Sequence, residues 1–313
     1  MRYADFLGFL FPQNALIKKD KKELVIDPNI KLDLCGVTSV PPFMKKISEI
    51  VREHKWFCEI LKKQNQNNKI KIFCGLQHPP ENAIPSDISY LGDIGIKYMT
   101  LAYETESVYG GGFATPQAPL TEEGKWLLRM MARAGIILDL SHAGHRTARE
   151  ALVYIHEKNL RLKVVASHTG CWSIYSHYRN LPDDVLLGIK ELNGIVGLAT
   201  VTFKLDQYDN TLNPFFNHFN HALNILGEDH IALGTDGLYR IMDAKEEAAR
   251  FEVMKKKLDP RGNFKARYPD QPMELNRPDR LTVIENEMIK RGISVKTAEK
   301  IMGENLAKFF SEL

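Results

Sequence analysis

Eight near-continuous apolar runs recur along this chain, and a segment with helical periodicity lies between most of them. No other feature limits the fold as strongly. The runs span 3–10, 31–40, 69–77, 97–103, 136–142, 163–169, 194–201 and 230–236. A strand that is apolar at consecutive positions is buried on both faces, as happens when helices cover a parallel sheet. The intervening segments supply such helices. Residues 42–67 set Ile47, Ile50, Val51 and Phe57 among polar neighbours. Residues 121–134 open with Thr-Glu-Glu and stop at Gly135, a start signal and a stop signal. Segments 145–159, 183–193 and 213–227 read the same way. Eight strands in βα alternation predict an α/β fold, a (β/α)8 TIM barrel. A doubly wound open sheet comes second, since no Gly-rich phosphate loop follows the first run. Residues 242–280 are polar and proline-punctuated and read as an excursion after the eighth strand. Residues 281–290 and 295–310 read as closing helices. The expectation is one barrel domain over residues 1–313.

Composition narrows the function classes. Apolar residues make up 44% and charged residues 26%, which suits a soluble chain with a real core. A net charge of +3 gives no reason to expect nucleic acid. The runs Lys18-Lys19-Asp20-Lys21-Lys22 and Lys255-Lys256-Lys257 are short and read as solvated surface. No apolar run approaches the roughly 18 residues of a membrane span. The four cysteines, Cys35, Cys58, Cys74 and Cys171, show no C-x-x-C spacing, and two lie in apolar runs as small buried hydrophobes. They predict no disulfide framework and a cytoplasmic location.

In such a barrel the chemistry sits at the C-terminal ends of the strands. Reading off the last residues of each run gives Leu7 or Phe9, 37–39, Gln77, Tyr103, His142, His168, 201–203 and Asp236. Two imidazoles and a carboxylate from three different strands are the donor types zinc takes, with a position left for water. The same residues also suit hydrogen-bonded positions on a barrel rim. Arg179, in the loop after His168, suits a ligand carboxylate, which a guanidinium grips with two parallel bonds. Pairing with Asp183 or Asp184 is its other reading. His145, His156, His177, His218, His221 and His230 fall in helical or loop contexts and read as structural or surface residues.

Three blocks then carry a resemblance: LTEEGKWLLRMMARAGIILDLSHAG, ASHTGCWSIYSHYRNLPDDVL and ALGTDG, with GENLAKFF near the end. Together they resemble the membrane (renal) dipeptidase family of zinc peptidases, most specifically over residues 120–240. The resemblance implies a (β/α)8 barrel of the metal-dependent hydrolase type, with two zinc ions bridged by a glutamate and dipeptides as substrates. Residue by residue it implies His142 and His168 as ligands of one zinc and Arg179 as the group that binds the substrate carboxylate. It implies Asp236 as a ligand of the other zinc that also handles the proton of the attacking water.

Other positions depart from the family pattern. A first-strand His-x-Asp pair falls on Leu7 and Phe9 here, or on Asn29 and Lys31 in a later register. The bridging glutamate falls on Gln77, and a substrate-contacting histidine falls on Tyr103. Leu and Phe offer zinc no donor atom, and neutral Gln is a poor bridge between two cations. The expectation is a dipeptidase-like hydrolase of a dipeptide or small amide with at most one zinc. His142 and His168 would hold it, completed by Gln77, Asp236 or water; His78 and Glu104 are further candidates near the mouth. Asp236 is the expected catalytic residue, with Arg179 and Tyr103 binding substrate. The alternative is an inactive or repurposed barrel that binds a small carboxylate ligand or a protein partner. The family also implies a homodimer.

Overall fold

A computed structural model describes residues 3–20, 22–67 and 69–311; Lys21, in the first basic run, lies outside them. Eight parallel strands form one sheet: β1 (Ala4–Asp5), β2 (Leu34–Thr38), β3 (Lys71–Leu76), β4 (Ile96–Met99), β5 (Ile137–Asp139), β6 (Val164–Thr169), β7 (Ile195–Leu198) and β8 (Ile231–Leu233). Their order in space is their order in the chain. The two edges meet where Phe6 N donates to Leu233 O at 2.7 Å. The expected (β/α)8 barrel is therefore present.

Helices Ile47–Gln64, Pro85–Asp93, Glu122–Ala134, His145–Glu157, Asp183–Glu191 and Asn213–Leu226 cover the outside. Their ends follow local chemistry. The Thr121 hydroxyl accepts from Gly124 N at 2.9 Å, and Gly135 takes the left-handed conformation at φ 66° that ends the same helix. Inside the barrel Phe6, Leu7, Leu34, Tyr98, Ile137, Val165, Ile195 and Ala232 pack together. Leu306, Phe309 and Phe310 of the last helix, Asn305–Ser311, plug the end where the strands begin. Phe310 stacks on Phe73 with ring centroids 3.7 Å apart. The opposite end is left as the mouth.

Two expectations change in detail. The first run is not one strand. The Asp5 carboxylate accepts from Leu7 N at 3.1 Å and turns the chain there, so Gly8–Phe9 leaves the barrel and pairs in parallel with Gly237–Leu238. The polar excursion at 242–280 contains a helix, Ala244–Leu258, capped by the Asp243 side chain on Lys245 N and Glu246 N. Its buried positions among those described include only Glu247 and Phe251, so it carries almost no apolar stripe to read.

Asp5 also clasps the seam. It accepts from Thr235 N at 2.8 Å, from Thr235 Oγ1 at 2.5 Å and from Tyr239 OH at 2.7 Å. Burial pushes its carboxyl up to about 6, against the pull of these hydrogen bonds and of Arg280. A carboxyl harder to ionise in the fold than in the unfolded chain favours the fold fully below pH about 4. That contribution is lost as pH rises through 6. Urea denaturation across this window should show wild type losing on the order of 2–3 kcal/mol relative to Asp5→Asn. Parallel pH profiles for the two proteins would contradict the assignment.

Candidate functional site

The mouth holds an open pocket whose lining includes Phe9, Gln77, Tyr103, His142, His168, Lys204 and Asp236. Of these only His168 lies inside a barrel strand; the others stand just beyond strand ends. The excursion after the eighth strand forms part of the wall. Phe264 packs against Phe113 at 4.4 Å and Tyr103 at 6.0 Å, and its carbonyl takes a hydrogen bond from His177 Nε2 at 2.9 Å.

The two histidines converge, with Nε2 of His142 and Nε2 of His168 3.1 Å apart. A buried relay sets the tautomer of His168. Asp139 Oδ1 accepts from Ser141 N, Ser141 Oγ and Ser167 N at 3.0, 2.7 and 2.9 Å. Its Oδ2 takes the Ser167 hydroxyl at 2.5 Å. With that proton committed, Ser167 Oγ is left to accept from His168 Nδ1 at 2.8 Å. The proton of His168 therefore sits on Nδ1, and the Nε2 lone pair faces the mouth. A metal ligand needs this arrangement. Here the lone pair meets a cation instead, since Arg179 Nη2 donates to it at 2.9 Å.

Arg179 is 1% exposed and lies over the Phe113 ring, with its Cζ 5.7 Å from the centroid. Its Nε and Nη1 are buried and have no hydrogen-bond partner. Lys204 Nζ donates to Asp236 Oδ2 at 2.7 Å, and the two side chains are 3% and 19% exposed. Asp236 holds a left-handed backbone at φ 55°, which Asp tolerates better than most residues. Tyr103 stacks on His142, centroids 4.1 Å apart.

Charge sets the protonation states. Burial, then Arg179, holds both His142 and His168 well below the usual imidazole range, so both rings are neutral at pH 7. Burial lowers Arg179 to about 10 although Asp236 opposes it. Burial also lowers Lys204 to about 8, with Asp236 opposing and Arg179 adding to the fall. Burial and Asp236 push the Tyr103 phenol up.

The expected residues are placed unevenly. Gln77, Tyr103, His142, His168 and Asp236 share the cavity wall, and Arg179 reaches it through His168. Phe9 is at the wall, whereas Leu7 is fully buried in the barrel interior. Asn29 and Lys31 precede β2 and line a separate surface depression, so the later register places nothing at the mouth. His78 Nδ1 is tied to Pro79 O at 2.6 Å, and Glu104 Oε1 accepts from Asn263 Nδ2 at 2.7 Å; neither belongs to the wall. Arg179 forms no ion pair with Asp183 or Asp184; Asp184 pairs with Arg149 instead. His177 and His218 are structural, as expected. The latter accepts from Cys171 N at 2.8 Å and donates to Leu205 O at 3.0 Å.

Two residues were missed from sequence. Lys204 was signalled as a lone cation in the apolar stretch VTFKL, one residue past the region read as the seventh strand end. Asp139 is the first letter of the DLSH block and was passed over for its histidine.

The profile of the membrane dipeptidase family, peptidase family M19, matches residues 44–267. The chain belongs to the membrane dipeptidase family. It is 28% identical over 228 residues to dipeptidase tcpJ of Claviceps purpurea, covering 70% of this chain and 45% of that protein. It is 29% identical over 187 residues to an uncharacterized dipeptidase of Schizosaccharomyces pombe, covering 57% and 44%. The match thus spans less than half the length of these curated relatives. Among solved structures, an amidohydrolase from Pseudomonas aeruginosa superposes with TM-score 0.77 at 20% identity, covering 98% of this chain and 94% of that one. A metallo peptidase from Rhodobacter sphaeroides, liganded with a phosphinate mimic of L-Ala-D-Ala, gives 0.72 at 16%, covering 98% and 97%. These likenesses establish the fold.

The residues at the mouth do not fit a two-zinc centre. Phe9 has no donor atom, Leu7 points elsewhere, Gln77 is neutral, and Asp236 already carries the Lys204 ammonium. The His142–His168 spacing suits two nitrogen ligands of one ion. Among the described residues, however, no third His, Cys or carboxylate joins that pair within 4.8 Å.

The Lys204–Asp236 pair should be strongly coupled. Lys204→Met leaves a partly buried carboxylate without its counterion, and stability should fall toward the lower end of about 3–5 kcal/mol. Lys204→Met/Asp236→Asn should recover most of that loss in the same denaturation assay. Additive losses would show that the two side chains do not depend on each other.

Proposed function

We propose that this protein is a dipeptidase-like hydrolase acting on a dipeptide or similarly small amide in the cytoplasm, with at most one zinc at the mouth. The observation that carries this reading is Arg179. A buried guanidinium with two unpartnered nitrogens is costly. A ligand carboxylate at Nη1 would offset part of that cost. In this reading Arg179 and the Lys204 ammonium hold the ligand's carboxylate end, and Tyr103 packs along it. The amide lies toward Asp236, whose carboxylate accepts the proton of the attacking water and delivers it to the leaving amine. Any zinc is confined to His142 and His168, and no step of this scheme is routed through it.

A second reading is favoured by a specific observation: the lone pair of His168 and the carboxylate of Asp236 are both already occupied by this chain's own cations. A barrel so arranged binds a small carboxylate without hydrolysing it.

A dipeptide panel with calorimetry separates the two readings. Under the hydrolase reading Arg179→Met raises KM at least about tenfold with a smaller change in kcat, as loss of uniform carboxylate binding requires. Asp236→Asn abolishes turnover yet leaves dipeptide binding detectable. Binding without turnover in the wild-type protein, at any zinc loading, would assign the second reading.

A further inference from the structure

The largest group of metal-type donors among the described residues lies away from the mouth. His54, Cys58 and Cys74 bring one nitrogen and two sulfurs within 4.8 Å of one another. His54 and Cys58 lie four residues apart on the helix Ile47–Gln64 and so share one face. Cys74 comes from β3 and packs with the cluster between sheet and helices, opposite that face. Neither cysteine is in a disulfide. Spacing does not reveal the group, because the two cysteines are sixteen positions apart on different elements that meet only in the fold.

We propose that His54, Cys58 and Cys74 form a binding site for one thiophilic closed-shell cation of the zinc class, clipping the first barrel helix to β3. Two thiolates and an imidazole are a common zinc donor set, with water or a fourth group completing the tetrahedron. Bond lengths of about 2.3 Å to sulfur and 2.0–2.1 Å to nitrogen put tetrahedral S and N ligands about 3.5 Å apart. Cys58 Sγ lies 3.9 Å from His54 Nδ1, so the ligands must close by about 0.4 Å to hold an ion.

The imidazole is already oriented. Nε2 donates to Ile94 O at 3.0 Å, the outer hydrogen bond that a metal-binding histidine typically makes. Nδ1 then presents a lone pair, at present taken by the Ser39 hydroxyl at 2.9 Å. A hydroxyl hydrogen rotates away at the cost of one hydrogen bond, and its oxygen stays beside the ion or the water it carries. Cys58 is half-buried, which leaves a way in, while Cys74 and His54 are buried.

Cobalt(II) reports this chemistry directly, because thiolate ligation gives a charge-transfer band and tetrahedral geometry gives intense visible bands. The full chain, reduced with a phosphine, should take up one Co2+ with both signatures, and Zn2+ should displace it. Cys58→Ser and Cys74→Ser should each lower the thiolate band at saturation to the share of the one remaining sulfur. Each should also weaken binding by more than the roughly 10–100-fold that loss of an outer partner costs. Circular dichroism confirms that each variant is folded. His54→Gln, which disturbs packing least, should keep the thiolate band and shift the visible ones. The His142→Ala/His168→Ala protein should bind Co2+ at this site unchanged, which keeps the test separate from any ion at the mouth. The absence of a thiolate band in the reduced wild-type protein would overturn the proposal, as would a band of undiminished intensity in Cys58→Ser. So would a Cys58–Cys74 disulfide that forms in air as readily with Zn2+ present as without it, because bound thiolates are not free to pair.

Discussion

Closure of the barrel rests on one buried carboxylate. The first strand is two residues long, too short to hold a sheet edge by its ladder alone. Asp5 compensates by gripping Thr235 through both backbone and hydroxyl, Tyr239 through its phenol and Leu7 through its amide. The same grip bends the chain at Leu7 and sends Gly8–Phe9 across to Gly237–Leu238. Asp236 sits between those anchored positions, and its own amide donates to Leu7 O at 2.7 Å. The seam thus fixes where the Asp236 carboxylate points. Asp139 repeats the device between the fifth and sixth strands, where it fixes His168. Two buried acids, each reaching across to the next strand's Ser or Thr, place the two ends of the candidate site.

The mouth is defined by cations that belong to the chain. Lys204 and Arg179 lie close enough that each adds to the electrostatic cost of the other, and Asp236 is the carboxylate bonded to Lys204. Such a centre is tolerable only because the histidines between are neutral. Protonating either one would bring a further positive charge into a buried space, which is the reason their basicity collapses. Negative charge brought to this space would offset its cations, and Nε and Nη1 of Arg179 are buried behind the wall without a partner.

The barrel was legible from the alternation of apolar runs with helical segments, because two-sided burial leaves little room for another reading. His142, His168, Gln77, Tyr103 and Asp236 were legible because strand-end position is geometric and survives without knowledge of contacts. The split of the first strand was not, since it depends on a side-chain hydrogen bond from Asp5 that periodicity cannot register. The helix Ala244–Leu258 was hidden for the opposite reason: its polar sequence buries little, and its cap at Asp243 was the only signal. Lys204 was passed over because a lysine in an apolar stretch normally reaches for solvent. Its ammonium turns inward here because Asp236 waits for it. The His54–Cys58–Cys74 cluster depends on which helix face meets which strand, and that is information only the fold supplies.

The departures from the family pattern are linked by charge. A zinc pair needs carboxylates around it, and Phe9 and Gln77 supply none at the wall. Asp236 is bonded there to a monovalent cation. Lys204 supplies one positive charge at hydrogen-bond distance where a metal would supply two. Arg179 donates to the His168 lone pair, the position an ion would otherwise take. Phe9 at the wall and the Tyr103 ring on His142 then fill space that would otherwise hold water around bare donors. Building a two-zinc centre into this mouth would therefore require changing the cations Lys204 and Arg179 as well as adding ligands.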